Sequence, residues 1–127
     1  MNRFLLDTHI LIWWLNDSPL LKPVIKQMLE SNNDSFYVSA ASVWEIGTKQ
    51  ALGKLTVSAD LLAAIHDNDF GLLSISAEHA DYATKLHLHH KDPFDRLLIA
   101  QATLENMTII SQDSIFESYM PFPFLKH

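Results

Sequence analysis

The chain has 127 residues, with nine Lys and Arg against fifteen Asp and Glu, a formal charge of −6 with histidines neutral. An apolar fraction of 48% with only three glycines and five prolines excludes disordered, collagen-like and low-complexity chains, and the length fits one domain, residues 1–127, with a sizeable core. The absence of cysteine removes disulfides, thiolate metal sites and thiol nucleophiles, and an excess of acid argues against a non-specific nucleic-acid binder, which gains affinity by neutralising phosphates.

In chain order, Phe4, Leu5 and Leu6 are too brief for a helix and read as a buried strand ending at Asp7. That acid also interrupts the N-terminal apolar run too early for a signal peptide. No stretch approaches the roughly 20 apolar residues of a membrane span, so a cytoplasmic protein free of membrane is expected. Residues 8–15 read as a short buried helix, 19–31 as a second helix, and Phe36, Tyr37 and Val38 as the second strand. A helix over 41–52 follows, with Gly53 past its end. Ser58 is expected to cap a helix through 67, residues 72–75 to form the third strand, and Ser76 to open a helix over 77–86. Residues 87–91 read as a polar loop, 93–106 as a helix with proline first, and 108–111 as the fourth strand. The tail around Pro121 and Pro123 supplies at most an edge strand. Strands separated by helices imply right-handed crossovers and a parallel sheet covered on both faces, whose strand C-termini share one ligand-binding edge.

Four acids fall near that edge. Asp7 ends the first strand, Glu45 follows the second, Asp95 opens the helix before the fourth, and Asp113 follows the fourth. Glu45 and Asp95 also fit helix capping, through Ser42 to Glu45 and through Asp92, and both readings stay open. Asp7 is harder to assign to a structural role, because a desolvated, unpaired carboxylate costs several kcal/mol. Arg96 and Lys49 are too few to neutralise four converging carboxylates, whereas a divalent cation does so, and an oxygen-only donor set favours Mg²⁺ or Mn²⁺. Such an ion at the edge of an α/β sheet suits phosphodiester or phosphate hydrolysis by activated water.

The stretches that carry these acids, residues 5–9, 38–46, 92–102 and 111–113 followed by Phe116, resemble in order and spacing the PIN-domain ribonucleases of the VapC toxin type. The resemblance spans nearly the whole chain. It implies a PIN-like three-layer α/β/α sandwich with a parallel sheet of four to five strands, and a Mg²⁺- or Mn²⁺-dependent endoribonuclease, the toxin of a toxin–antitoxin pair. Carried over singly, Asp7 is the central metal ligand, Glu45 a ligand or water-orienting base, Asp95 the third acid and Asp113 the fourth. Ser111 stands where the family usually has threonine and keeps the hydroxyl. Thr8 is a candidate for a metal water or a substrate phosphate, with capping as the alternative. Asp92 is assigned to capping ahead of the site, and Arg96 to a phosphate contact or an ion pair with Asp92 or Asp95. The implied partners are RNA, a small antitoxin and a second copy of the chain.

Two further features stand beside the acids. Residues 10–15 are apolar all round, and adjacent tryptophans on so short a helix point in different directions, so Trp13 or Trp14 is expected to border a protein interface. His87, His89 and His90 read as a solvated loop rather than a metal site. The competing functions are a catalytically silent PIN-fold binding module and an Mg²⁺-dependent phosphoacceptor signalling domain. The latter wants paired acids after the first strand, and Asp7 stands alone between Leu6 and Thr8; a haloacid-dehalogenase-like phosphatase needs an acid where His9 stands. Four acids holding one or two divalent ions would leave a net charge of about −4 or −2 and turn the acidic cluster into the place where phosphate binds.

Overall fold

Apolar residues alternate across β1 (Arg3–Leu6), and that alternation divides the core into two layers. Phe4 and Leu6 face a cluster with Ile10, Leu11, Ile25, Phe36, Val38, Ile46, Ile65 and Ile110, while Leu5 faces Leu98, Ile99, Ala102, Met107 and Ile109. A strand buried on both faces belongs to a sheet covered by helices on both sides.

The computed structural model describes residues 2–31, 33–57, 60–86, 92–113 and the backbone of 124–126. After β1 come α1 (Thr8–Leu15), α2 (Pro23–Glu30), β2 (Ser35–Ser39), α3 (Ala40–Ala51), α4 (Leu61–Asp67), β3 (Gly71–Leu73), α5 (Ala77–Lys85), α6 (Pro93–Glu105), β4 (Thr108–Ser111) and β5 (Phe124–Lys126). The five strands lie in the order β3-β2-β1-β4-β5, all pairings parallel. This is the three-layer α/β/α arrangement expected. Helices α1, α2 and α4 bury Ile10, Ile25 and Ile65 in the first layer, and α6 buries Leu98 and Ile99 in the second, with α5 packed on α6. Among the described residues no helix is long and apolar enough to cross a membrane.

Several boundaries differ from expectation for local reasons. α2 begins at Pro23, not near Pro19, because a second proline takes the first helical position and the preceding residues form a turn. α3 is capped by Ser39, whose Oγ accepts from the Ala41 N–H at 3.0 Å, so Glu45 sits in the second turn and the expected cap through Ser42 and Glu45 does not form. Asp60 caps α4 through the Ala63 N–H at 3.3 Å, the role expected of Ser58, which lies outside the described residues. β3 starts at Gly71, opposite Tyr37 of β2, where a Cβ would stand 2.6 Å from the tyrosine ring; only glycine lets that ring lie across the edge strand. Ser76 does open α5, with a reciprocal bond from its N–H to His79 Nδ1 at 3.0 Å. β5 occupies the sheet edge beyond β4, which is the role left to the tail, whereas the predicted loop 87–91 with His87, His89 and His90 lies outside the described residues.

Candidate active site

All strands point one way, so Asp7 after β1 and Asp113 after β4 emerge at the same edge beside one another, since β1 and β4 are hydrogen-bonded neighbours. The Asp7 N–H continues the ladder to the Ile110 carbonyl at 3.0 Å, and the residue then occupies the N-cap position of α1. Its carboxylate makes no capping bond. Instead Asp7 Oδ2 accepts the Ser111 hydroxyl at 2.7 Å, and the same Ser111 Oγ accepts the Asp113 N–H at 3.0 Å. One hydroxyl therefore orders both acids.

Asp7 is only 2% exposed. Burial pushes its carboxyl above the ordinary range and the nearby Asp113 charge adds to this; the Ser111 hydrogen bond and His9 oppose it. A carboxylate so held gains from any cation that replaces its lost hydration. Asp7 and Asp113 line a cavity of about 380 Å³ together with His9, Trp13 and Gln112. Gln112 fixes one wall, accepting from the Lys22 N–H at 3.0 Å and donating to the Leu20 carbonyl at 3.0 Å.

Glu45 is delivered by α3. Thr8 Oγ1 and Ser42 Oγ share a hydrogen bond of 2.8 Å, buried, which clamps α3 against the first residue of α1. Thr8 is thus the first helical residue and a tie between helices, not a cap. Glu45 lies one turn beyond Ser42 on the same face of α3, 4% exposed. Its Oε2 takes the Lys49 ammonium at 2.9 Å, and its Oε1 is buried with no hydrogen-bond partner among the described residues.

Asp95 lies half-buried in the first turn of α6. Asp92 caps that helix, its Oδ1 accepting from the N–H groups of Phe94 at 2.9 Å and Asp95 at 3.4 Å, as the sequence suggested. The register of α6 is set lower down by the buried Gln101, which accepts the Ser39 hydroxyl at 2.5 Å and donates to the Ser74 carbonyl at 3.2 Å, joining the ends of β2 and β3. Arg96 corrects an expectation: its guanidinium donates to the carbonyls of Ala83 at 2.7 Å and Leu86 at 3.3 Å, because the end of α5 presents unsatisfied acceptors there. One of its terminal nitrogens is thus turned to the end of α5.

Among the described residues no three of His, Asp and Glu side chains form a ready-made metal-ligand group. The acids occur as the Asp7–Asp113 pair, with Glu45 and Asp95 carried on two helices. The donor set nonetheless fits a hard divalent ion, being all oxygen and including a desolvated carboxylate and one orphaned buried oxygen, Glu45 Oε1.

Neither indole is fully buried. Trp14 donates its N–H to Asn68 Oδ1 at 3.0 Å, while Trp13 faces the acid-lined cavity beside His9, ring centroids 5.7 Å apart. His9 and Gln112 were not singled out as cavity residues from the sequence, although the four-residue spacing of His9 and Trp13 on a helix that starts at an acid is a usable signal. Trp44, 67% exposed and packed edge-on against Phe94 at 5.5 Å, was also missed as a surface residue.

No curated protein matches the chain in sequence. Among solved structures, the chain resembles one from DNA-bound VapBC of Salmonella typhimurium, with TM-score 0.74 and 15% identity over 99% of this chain and 98% of that one. A chain of VapBC2 from Rickettsia felis, bound to a DNA fragment from its promoter, matches with TM-score 0.72 and 15% identity over 98% of each. A chain of VapBC-5, of the VapBC family of toxin–antitoxin systems in Mycobacterium tuberculosis, matches with TM-score 0.65 and 18% identity over the whole of both. These likenesses establish a shared fold. In sequence, the PIN domain model matches residues 4–119, a span that holds all four acids, and the chain belongs to the PIN domain family.

Proposed function

We propose that this protein is a Mg²⁺- or Mn²⁺-dependent endoribonuclease and the toxin of a toxin–antitoxin pair, with residues 1–127 forming a single PIN domain that meets RNA in the cytoplasm. The observation that carries the reading is the desolvated Asp7 carboxylate at the strand edge, tied through Ser111 to Asp113 in an open cavity of about 380 Å³. The folds it resembles come from toxin–antitoxin assemblies, which supports a small antitoxin as partner.

Asp7, Glu45, Asp95 and Asp113 are the residues that would hold the ion. When bound, the ion supplies Lewis acidity toward a phosphodiester and makes a water acidic enough to attack it. The chain's own groups do the positioning. Ser111 fixes Asp7 Oδ2 and the turn that carries Asp113, so the pair presents oxygens without rearranging. The Thr8–Ser42 bond sets α3 against α1, and Lys49 holds Glu45 Oε2 while leaving Oε1 open to a further partner. Asp92 fixes the first turn of α6 and therefore Asp95.

The test is cleavage of RNA by the purified protein with Mg²⁺ or Mn²⁺, beside EDTA controls and Asp7→Asn and Asp95→Asn variants. Cleavage that survives both substitutions places the chemistry elsewhere. Light scattering of the free protein checks the proposed homodimer, and co-purification with the protein encoded beside it checks the antitoxin.

A further inference from the structure

We infer that His9 and Trp13 form a stacking platform for an unpaired nucleobase next to the scissile phosphate, so that the substrate is single-stranded RNA held by its base more than by its charge. The inference rests on the ribonuclease reading and adds to it a means of holding substrate.

Three observations carry it. The two rings stand one helical turn apart on α1, 5.7 Å between centroids and 34° between planes, and both face the cavity that Asp7 and Asp113 line. Trp13 is only half-buried and His9 exposed, so their ring surfaces reach solvent at the acids. A base stacked on an aromatic face there would place its phosphate against the carboxylates, the position the proposed chemistry requires.

The charge inventory points the same way. RNA binding by counter-ion release needs available cations, and the chain carries −6. Among the described cations, Lys26 pairs with Asp17 at 3.3 Å, Lys49 with Glu45 at 2.9 Å and Lys85 with Asp81 at 2.8 Å. Arg96 donates from one terminal nitrogen to the Ala83 and Leu86 carbonyls, Arg3 lies over the Tyr37 ring, and Lys22 and Lys54 are the other described cations, both exposed. Stacking on a π-face needs no cation and tolerates an acidic surround. Gln112, which also lines the cavity, is tied to the 20–22 segment by its two bonds.

The experiment uses the full chain in two arms. In the first, Trp14→Phe and Trp44→Phe leave Trp13 as the sole tryptophan, and a 2′-O-methyl oligoribonucleotide that resists cleavage is titrated in. Quenching of Trp13 fluorescence is expected, with binding that weakens little as salt rises; an unchanged emission overturns the platform. In the second, Trp13→Leu keeps volume and loses the ring, and is compared with Trp13→Phe on single-stranded RNA and on the same RNA with one abasic residue. The KM on intact RNA is expected to rise about 5- to 150-fold in Trp13→Leu, the range of base stacking, with a smaller change in kcat and recovery in Trp13→Phe. The abasic substrate should lose the same factor with wild type and no more with Trp13→Leu. Equal losses from the abasic residue in both proteins overturn the inference, as does a Trp13→Leu protein altered only in oligomeric state, which would assign the indole to a protein interface. Should wild type cleave no RNA with any divalent ion, the ribonuclease reading falls, and the fluorescence arm still decides the platform by itself.

Discussion

Asp7 and Glu45 are both buried carboxylates, 2% and 4% exposed, and the molecule holds them by opposite means. Asp7 ends a strand in the middle of the sheet, where the neighbouring strand supplies a hydroxyl but no cation, and burial raises its pKa. Glu45 lies on a helix, where the next turn supplies Lys49 at 2.9 Å and one oxygen is left with no hydrogen-bond partner among the described residues. A strand end can offer only what its ladder partner carries, while a helix offers its own residue four positions on. The first arrangement leaves a carboxylate that gains most from an added cation; the second leaves a carboxylate already half-neutralised and aimed. On the proposed reading, the site would divide into an ion-demanding centre on β1 and β4 and a pre-set arm on α3.

The largest effect expected from breaking this division is at Asp7. Asp7→Asn keeps the shape and removes the charge, and should lower metal-dependent cleavage on the order of 10³-fold, as loss of several kcal/mol of transition-state stabilisation implies; initial rates on RNA with Mn²⁺ measure it. Ser111→Ala removes the bond that orders both Asp7 and Asp113. It should weaken apparent metal affinity about 10- to 100-fold while sparing the fold, read from the Mn²⁺ dependence of the rate.

The same contrast appears in stability. A carboxyl whose folded pKa is raised stabilises the fold fully below its unfolded value, about 3.9, and loses that contribution as pH climbs through the folded value. With EDTA present, wild type should therefore lose stability relative to Asp7→Asn as pH rises above about 4, measured as the difference in denaturant midpoints. Saturating Mn²⁺ should stabilise wild type by about 2.7 kcal/mol at a hundred times Kd and leave Asp7→Asn nearly unmoved. A midpoint difference that stays flat with pH would show that Asp7 carries no burial penalty. The smallest effect belongs to the arm. Lys49→Gln removes a partner that is itself 38% exposed, so solvent screening limits the loss of stability to about 1 kcal/mol or less, followed by thermal unfolding.

Much of this was legible in the residues. Short apolar, aromatic or β-branched runs marked β1, β2 and β4, and Pro93 after Asp92 marked the start of α6, because those signals act within a few residues. The places of Asp7 and Asp113 at the ends of neighbouring strands were legible, and the structure sets them on one cavity. The start of α2 was misjudged because Pro19 and Pro23 compete for the same first-turn role and only packing of Leu21 and Ile25 selects the second. The bonds of Arg96 to the end of α5 were not legible because the carbonyls it meets lie ten and thirteen residues away. Trp13 or Trp14 was expected to border a protein interface; that Trp13 lines the acid-lined cavity was not legible, since a sequence does not say which side of an apolar helix faces it.

By itself the sequence determined the chain order of strands and helices, the parallel sheet and the places of Asp7 and Asp113 at strand ends, since propensity, capping and turn chemistry are local. Tertiary structure alone decided that the Ser111 hydroxyl reaches Asp7 across 104 positions, that Gln112 closes on the 20–22 segment, and that Thr8 meets Ser42 instead of capping its own helix. Such bonds form only over about 3 Å and within a narrow angle, so they depend on the β1–β4 register and the seating of α3 on α1. Those are properties of the packed chain, and no short window of residues contains them.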